Sequence, residues 1–181
     1  PSVEMKDITT HWAKASIEKA VELGFITGYE DGTFKPNGLV TRGEFAAMLA
    51  RALNLDTDNN SEYPFADKAK TPAWAQPVIQ ALTKGGVLSG YEDGTFRTRN
   101  EITRTELVVI VVRALGLEIN PDAAIGFDDA DQVPAWAKAY VAVAEEAGLI
   151  KGNGDGKFNP NTSSTRAEAV TIVLAMLNNL K

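Results

Sequence analysis

Thr41-Arg42-Gly43-Glu44-Phe45-Ala46-Ala47-Met48-Leu49 returns as Thr103-Arg104-Thr105-Glu106-Leu107-Val108-Val109-Ile110-Val111, and again as Thr165-Arg166-Ala167-Glu168-Ala169-Val170-Thr171-Ile172-Val173. The offset is 62 residues both times, and the same register holds upstream. It carries Trp12 onto Trp74 and Trp136, Gly24 onto Gly86 and Gly148, and Gly28 onto Gly90 and Gly152. Asp31-Gly32 falls on Asp93-Gly94 and Asp155-Gly156, and Phe34 on Phe96 and Phe158. Each copy opens with an apolar-x-Asp start, Met5-Lys6-Asp7, Phe65-Ala66-Asp67 or Phe127-Asp128-Asp129, the first copy being two residues shorter between that start and its tryptophan. Self-similarity over so many positions marks a repeat architecture. The chain reads as three modules, 1–60, 61–123 and 124–181, joined by the polar stretches Asp56-Thr57-Asp58-Asn59-Asn60-Ser61 and Asn120-Pro121-Asp122.

Within a module the pattern is helix, loop, helix, and the fold class is all-α. The first helix starts near the tryptophan, with Pro72 and Pro134 suited to a first helical position in copies two and three. Gly24, Gly86 and Gly148 supply the left-handed residue that closes it. The loop Gly28-Tyr29-Glu30-Asp31-Gly32-Thr33-Phe34 holds an Asp-Gly turn and predicts a brief hairpin-like bend. The second helix shows Phe45, Met48, Leu49, Ala52 and Leu53 on one face, matched by Leu107, Ile110, Val111, Ala114 and Leu115, and by Ala169, Ile172, Val173, Met176 and Leu177. In the middle copy Val108, Val109 and Val112 spread the apolar surface nearly all round, so neighbours must cover that helix on more than one side. Two helices cannot bury such faces alone. The modules therefore pack as one body, with the second helices as the shared core.

Thr-x-x-Glu before an apolar run is a capping box, which accounts for Thr and Glu in all three copies. It does not account for Arg42, Arg104 and Arg166. A cation in the first turn faces the positive end of the helix dipole, at a cost of roughly 0.3–1 kcal/mol when exposed. Free amides at the helix start and a planar guanidinium fork together predict a carboxylate or phosphate site. The competing reading pairs each arginine with an acid of the neighbouring copy, Asp7, Asp67 or Asp129, or with the local glutamate. The nearby loops offer the materials of a shallow sugar groove: Tyr29 and Tyr91 show a ring and a hydroxyl, and Gly28 and Gly90 let backbone approach. Copy three carries Asn153 where the tyrosine stands elsewhere. Trp12, Trp74 and Trp136 divide evenly between groove and core, whereas Phe34, Phe96 and Phe158 read as core. Gly43 opens space or allows backbone movement in a turn that otherwise favours alanine.

Other chemistries fit poorly. The 181 residues include no cysteine, which removes disulfides, thiolate metal sites and thiol nucleophiles. A net charge of -6 opposes broad attraction to nucleic acid or an anionic membrane. No apolar run is long enough to cross a bilayer, and the opening Pro1-Ser2-Val3-Glu4 has no leader character, so a mature or trimmed segment is expected. The Asp-Gly loops lack calcium chemistry, since Lys151, Thr27 and Ser89 stand where an EF-hand needs its first carboxylate. Glu44, Glu106 and Glu168 sit at equivalent helix starts, whereas glycoside hydrolysis needs two unlike carboxyl groups across one cleft. A glycan-processing enzyme would have to use non-repeated acids such as Asp128, Asp129 and Asp131. His11, the single histidine, reads as a polar residue at a helix entrance. No catalysis and no cofactor are expected.

The apolar-x-Asp start, the Trp-Ala helix, the Gly-Tyr-x-Asp-Gly-x-Phe loop and the Thr-Arg-x-Glu box together resemble the S-layer homology family over essentially the whole chain. The resemblance implies a pseudo-threefold trimer of modules around a central three-helix bundle, with grooves between adjacent modules. It also implies non-covalent anchoring of a bacterial surface protein to pyruvylated secondary cell-wall polysaccharide linked to peptidoglycan. Arg42, Arg104 and Arg166 then hold the ligand. The candidate binding set is these arginines with Asp7, Asp67, Asp129, Trp12, Trp74, Trp136, Gly28, Gly90, Tyr29, Tyr91 and Gly43. The copies depart from one another at Thr98 against Pro36 and Pro160, and at Ala175 against Arg51 and Arg113, so the grooves should bind unequally, the third most weakly. A protein–protein assembly module of a surface lattice, with the arginines as interface salt bridges, is the alternative.

Overall fold

A computed structural model describes residues 4–57, 62–151 and 155–180. Pro1 to Val3, the Asp58-Asn59-Asn60-Ser61 part of the first link, and Gly152 and Asn153 of the third loop lie outside the described residues. Among the described residues the chain forms six α-helices: α1 (Lys14–Leu23), α2 (Arg42–Ala52), α3 (Gln76–Lys84), α4 (Arg104–Leu115), α5 (Lys138–Glu146) and α6 (Arg166–Asn179). Isolated bridges, and no sheet, join the segments ahead of α2, α4 and α6 among those residues. No described helix is long and apolar enough to cross a membrane.

The helix ends follow local chemistry. Thr41, Thr103 and Thr165 cap α2, α4 and α6 with complete capping boxes, each threonine accepting from the glutamate amide while the glutamate accepts at the threonine. Gly24, Gly86 and Gly148 take φ of 84°, 78° and 75°, the left-handed conformation that ends the first helix of each module. The prolines differ from expectation. Pro72 and Pro134 precede single turns closed by Ala75 N–H to the Pro72 carbonyl and Ala137 N–H to the Pro134 carbonyl, and α3 and α5 begin only afterwards. Pro77 is the proline inside the first turn of α3. The tryptophans thus sit on the entrance turn, outside the helix proper.

Three backbone hydrogen bonds close a ring about the pseudo-threefold axis: Val40 N–H to Ser164 O (3.0 Å), Ser164 N–H to Ile102 O (2.8 Å) and Ile102 N–H to Val40 O (2.9 Å). These are equivalent positions of the three modules. Beneath the ring, α2, α4 and α6 form the central bundle, with α6 against both others. The outer helices pack across module boundaries: α3 lies on α2, α5 on α4 and α1 on α6. Each module therefore lends its first helix to the preceding module, cyclically. Loop contacts repeat the exchange, and Phe34, Phe96 and Phe158 are fully buried core. As its all-round apolar character demands, α4 buries Thr105 and every residue from Leu107 to Val112.

Candidate functional site

Each guanidinium leaves the start of a central helix and enters the loop of the next module. Arg42 Nε donates to Phe96 O (2.9 Å), Arg104 Nε to Phe158 O (2.7 Å) and Arg166 Nε to Phe34 O (2.9 Å). The guanidinium carbons lie over the same phenyl rings at 4.6, 5.1 and 4.5 Å, a cation–π arrangement. Tyr91 adds a second ring to Arg42 at 4.7 Å and Tyr29 one to Arg166 at 4.8 Å. The third module's counterpart, Asn153, lies outside the described residues.

The helix starts do not offer the free amides expected of an anion site. Arg42 and Gly43 N–H go to Asn100 O and Thr98 O, Arg104 and Thr105 N–H to Thr162 O and Pro160 O, and Arg166 and Ala167 N–H to Gly38 O and Pro36 O. The third amide of each helix goes to its threonine cap. Burial of these helix starts against the next loop forces that pairing, because an orphan amide there would cost about 1–3 kcal/mol. An anion in these grooves is held by side chains.

Three modules build every groove. The first groove combines Arg166, the module-one residues Ile26, Glu44, Met48 and Arg51, and Trp74 from module two. The second combines Arg42, the module-two residues Gly90, Tyr91, Glu106 and Arg113, and Trp136. The third combines Arg104, the module-three residues Lys151, Glu168 and Ile172, and Trp12. Their volumes are about 230, 620 and 730 Å³. Trp12, Trp74 and Trp136 are 67%, 53% and 58% exposed, which decides against a core role.

The other candidates have structural contacts. Asp7 accepts from Phe34 and Lys35 N–H (both 2.8 Å), Asp67 from Phe96 and Arg97 N–H (3.0 and 2.8 Å), and Asp129 from Phe158 and Asn159 N–H (2.9 and 2.8 Å). Desolvation pushes the Asp7 and Asp129 carboxyls up, but the amide bonds outweigh it and both lie below the usual carboxylate range. These aspartates fix the stretch of loop whose carbonyl meets the arginine, and among the described residues they form no ion pair with an arginine side chain. A Cβ on Gly28 would press on Thr33 O and Met5, one on Gly90 would strike Phe65, and one on Gly43 would overlap Thr98 Cγ2. Gly43 thus makes room for Thr98, which replaces the proline that meets Thr105 and Ala167 in the other two contacts. The Asp-Gly bends close through Tyr29 N–H to Thr33 O (2.7 Å) and Tyr91 N–H to Thr95 O (2.8 Å), without a ladder. His11 Nδ1 accepts from Ala13 N–H (3.1 Å) at the entrance of α1.

Sequence reasoning missed the second use of the capping glutamates. Glu106 Oε1 stays on its cap while Oε2 accepts from Arg42 Nη1 and from the Tyr91 hydroxyl (2.5 Å). Glu168 likewise holds Arg104. Burial and this hydrogen bond to Glu106 push the Tyr91 hydroxyl up to about 12. The difference Arg51, Arg113, Ala175 was visible in the repeat, and it proves to be a difference in groove lining.

The S-layer homology domain model matches the chain three times, at residues 4–46, 64–108 and 126–170. The surface-layer 125 kDa protein of Lysinibacillus sphaericus is 31% identical over 93% of this chain and 14% of its own length. Cell surface glycoprotein 1 of Acetivibrio thermocellus is 41% identical over 82% of the chain and 7% of its own length, and an endoglucanase of Bacillus sp. (strain KSM-635) is 33% identical over 93% and 18%. The chain spans less than a fifth of each of these relatives. With three tandem matches laid over three cyclically exchanged helical modules, the chain belongs to the S-layer homology domain family.

Proposed function

We propose that this chain is a non-covalent cell-surface anchor that binds pyruvylated secondary cell-wall polysaccharide in its inter-module grooves. Its place is the bacterial cell surface, and it acts as a binding module, not an enzyme. One observation carries the reading: each groove sets a guanidinium backed by one or two aromatic rings against an exposed tryptophan contributed by a different module. A ketal-linked pyruvate presents a carboxylate to the guanidinium fork, and the tryptophan offers an amphipathic ring for the sugar face. With the helix amides occupied, the arginines supply the charge.

Arg42–Glu106 and Arg104–Glu168 are ion pairs between modules, which is the arrangement an assembly module would use. The two readings separate in calorimetric titration with purified cell-wall polysaccharide, native and stripped of pyruvate. Heat that disappears with the pyruvate supports anchoring. A folded chain that binds neither polymer moves the function to protein–protein assembly.

A further inference from the structure

The three arginines occupy equivalent positions but not equivalent electrostatic states. Arg42 is 6% exposed and forks between Phe96 O and Glu106, and Arg104 between Phe158 O and Glu168. Arg166 turns its outer nitrogen to Thr27 O (3.1 Å) and has no carboxylate partner among the described residues. Glu44, the acid that symmetry would assign to it, lines the same groove but serves only its own cap. Arg51 lines that groove as well.

We infer that the Arg166 groove is the primary carboxylate receptor, and that Glu106 and Glu168 act in the other two as internal stand-ins for the ligand's acid. The inference rests on the polysaccharide reading and ranks its sites. A ligand carboxylate arriving at Arg42 or Arg104 must displace a glutamate or share the guanidinium with it, and both options cost attraction already present in the free protein. At Arg166 the incoming carboxylate gains a charge-assisted bond and breaks only a bond to a carbonyl. Cavity size favours the other two grooves. For a ligand recognised through its acid, charge decides.

Each groove holds its own tryptophan, so each can be read separately. Three variants keep one tryptophan each, with the other two changed to Phe, and are titrated by fluorescence with a monosaccharide bearing a pyruvate ketal and with the same sugar lacking it. The Trp74 reporter should respond at a concentration roughly tenfold or more below the Trp12 and Trp136 reporters, the worth of one charge-assisted bond. Adding Glu106→Gln to the Trp136 reporter, or Glu168→Gln to the Trp12 reporter, should tighten those grooves, since Gln still serves a capping box. Arg166→Lys in the Trp74 reporter should weaken binding while keeping the charge. Equal midpoints in the three grooves, or a lower one at Trp12 or Trp136, overturns the ranking and leaves the anchoring reading standing. A folded chain in which no reporter responds to the ketal sugar or to the native polymer overturns both.

Discussion

The grooves entered by Arg42 and Arg166 start from the same Thr-Arg-x-Glu letters and the same helix cap, yet one holds a closed ion pair and the other an arginine bonded to two carbonyls. Local sequence fixes where the guanidinium begins. The neighbouring module decides what it meets. Tyr91 helps close the first arrangement by donating to the same Glu106 oxygen that takes Arg42. Repetition of a motif is thus no guarantee of a repeated charge state, because each motif is completed by a different partner.

Urea unfolding separates the two arginines. Arg42→Ala should cost about 3 kcal/mol in urea unfolding, since it strands a mostly buried Glu106 and the Phe96 carbonyl. Arg166→Ala should cost only about 1 kcal/mol, the loss of neutral-acceptor bonds. Equal costs would show that the two arginines are electrostatically alike. For Arg42, ligand binding and stability are entangled, because the same guanidinium lines the groove and holds Glu106.

Next in size is Gly43→Ala, expected to cost about 2 kcal/mol through overlap with Thr98 Cγ2. Most of that cost should vanish in a Thr98→Ala background, a coupling that a double-mutant cycle measures directly. If Gly43→Ala is costly in both backgrounds, backbone freedom and not packing explains the glycine.

The pH dependence sharpens the same contrast at both ends of the scale. Asp7 and Asp129 have folded values below their unfolded ones, so the stability they contribute is complete above pH about 4 and is lost as pH falls through the lowered values. Acid unfolding in Asp7→Asn or Asp129→Asn should show a shallower loss over that range. Tyr91 is raised, so its contribution is complete below pH about 10 and is lost as pH climbs towards about 12. Ultraviolet titration should show Tyr91 ionising late, together with Tyr63, which burial also raises, and Glu106→Gln should bring only Tyr91 earlier. The smallest effect belongs to the axial ring, where Ser164 buries an unpaired hydroxyl in the position of Val40 and Ile102. Ser164→Ala should raise stability by up to about 1 kcal/mol, seen as a higher midpoint with an unchanged urea slope.

Much of the fold is legible in the sequence. The repeat, the capped central helices, the left-handed glycines and the buried phenylalanines each rest on interactions within a few residues or on a strict apolar period. Pro72 and Pro134 misled because a proline can open a separate turn as readily as the helix itself. Asp7, Asp67 and Asp129 stand some 27 to 30 residues from the amides they hold, a distance over which spacing carries no partner information. The exposed tryptophans were undecided for a related reason: the groove they face belongs to other modules.

Three all-α modules, the capping boxes, a cation at the start of every central helix and the family to which such a chain belongs can all be read from the order of residues alone. The exchange of outer helices between modules, the pairing of the helix-start amides and the choice of which arginine meets an acid emerge from packing across module boundaries. The physical reason is range. Caps and apolar stripes are set by neighbours three or four positions away, whereas the charge state of Arg42, Arg104 or Arg166 is set by side chains brought across a module boundary by the packing of the whole body.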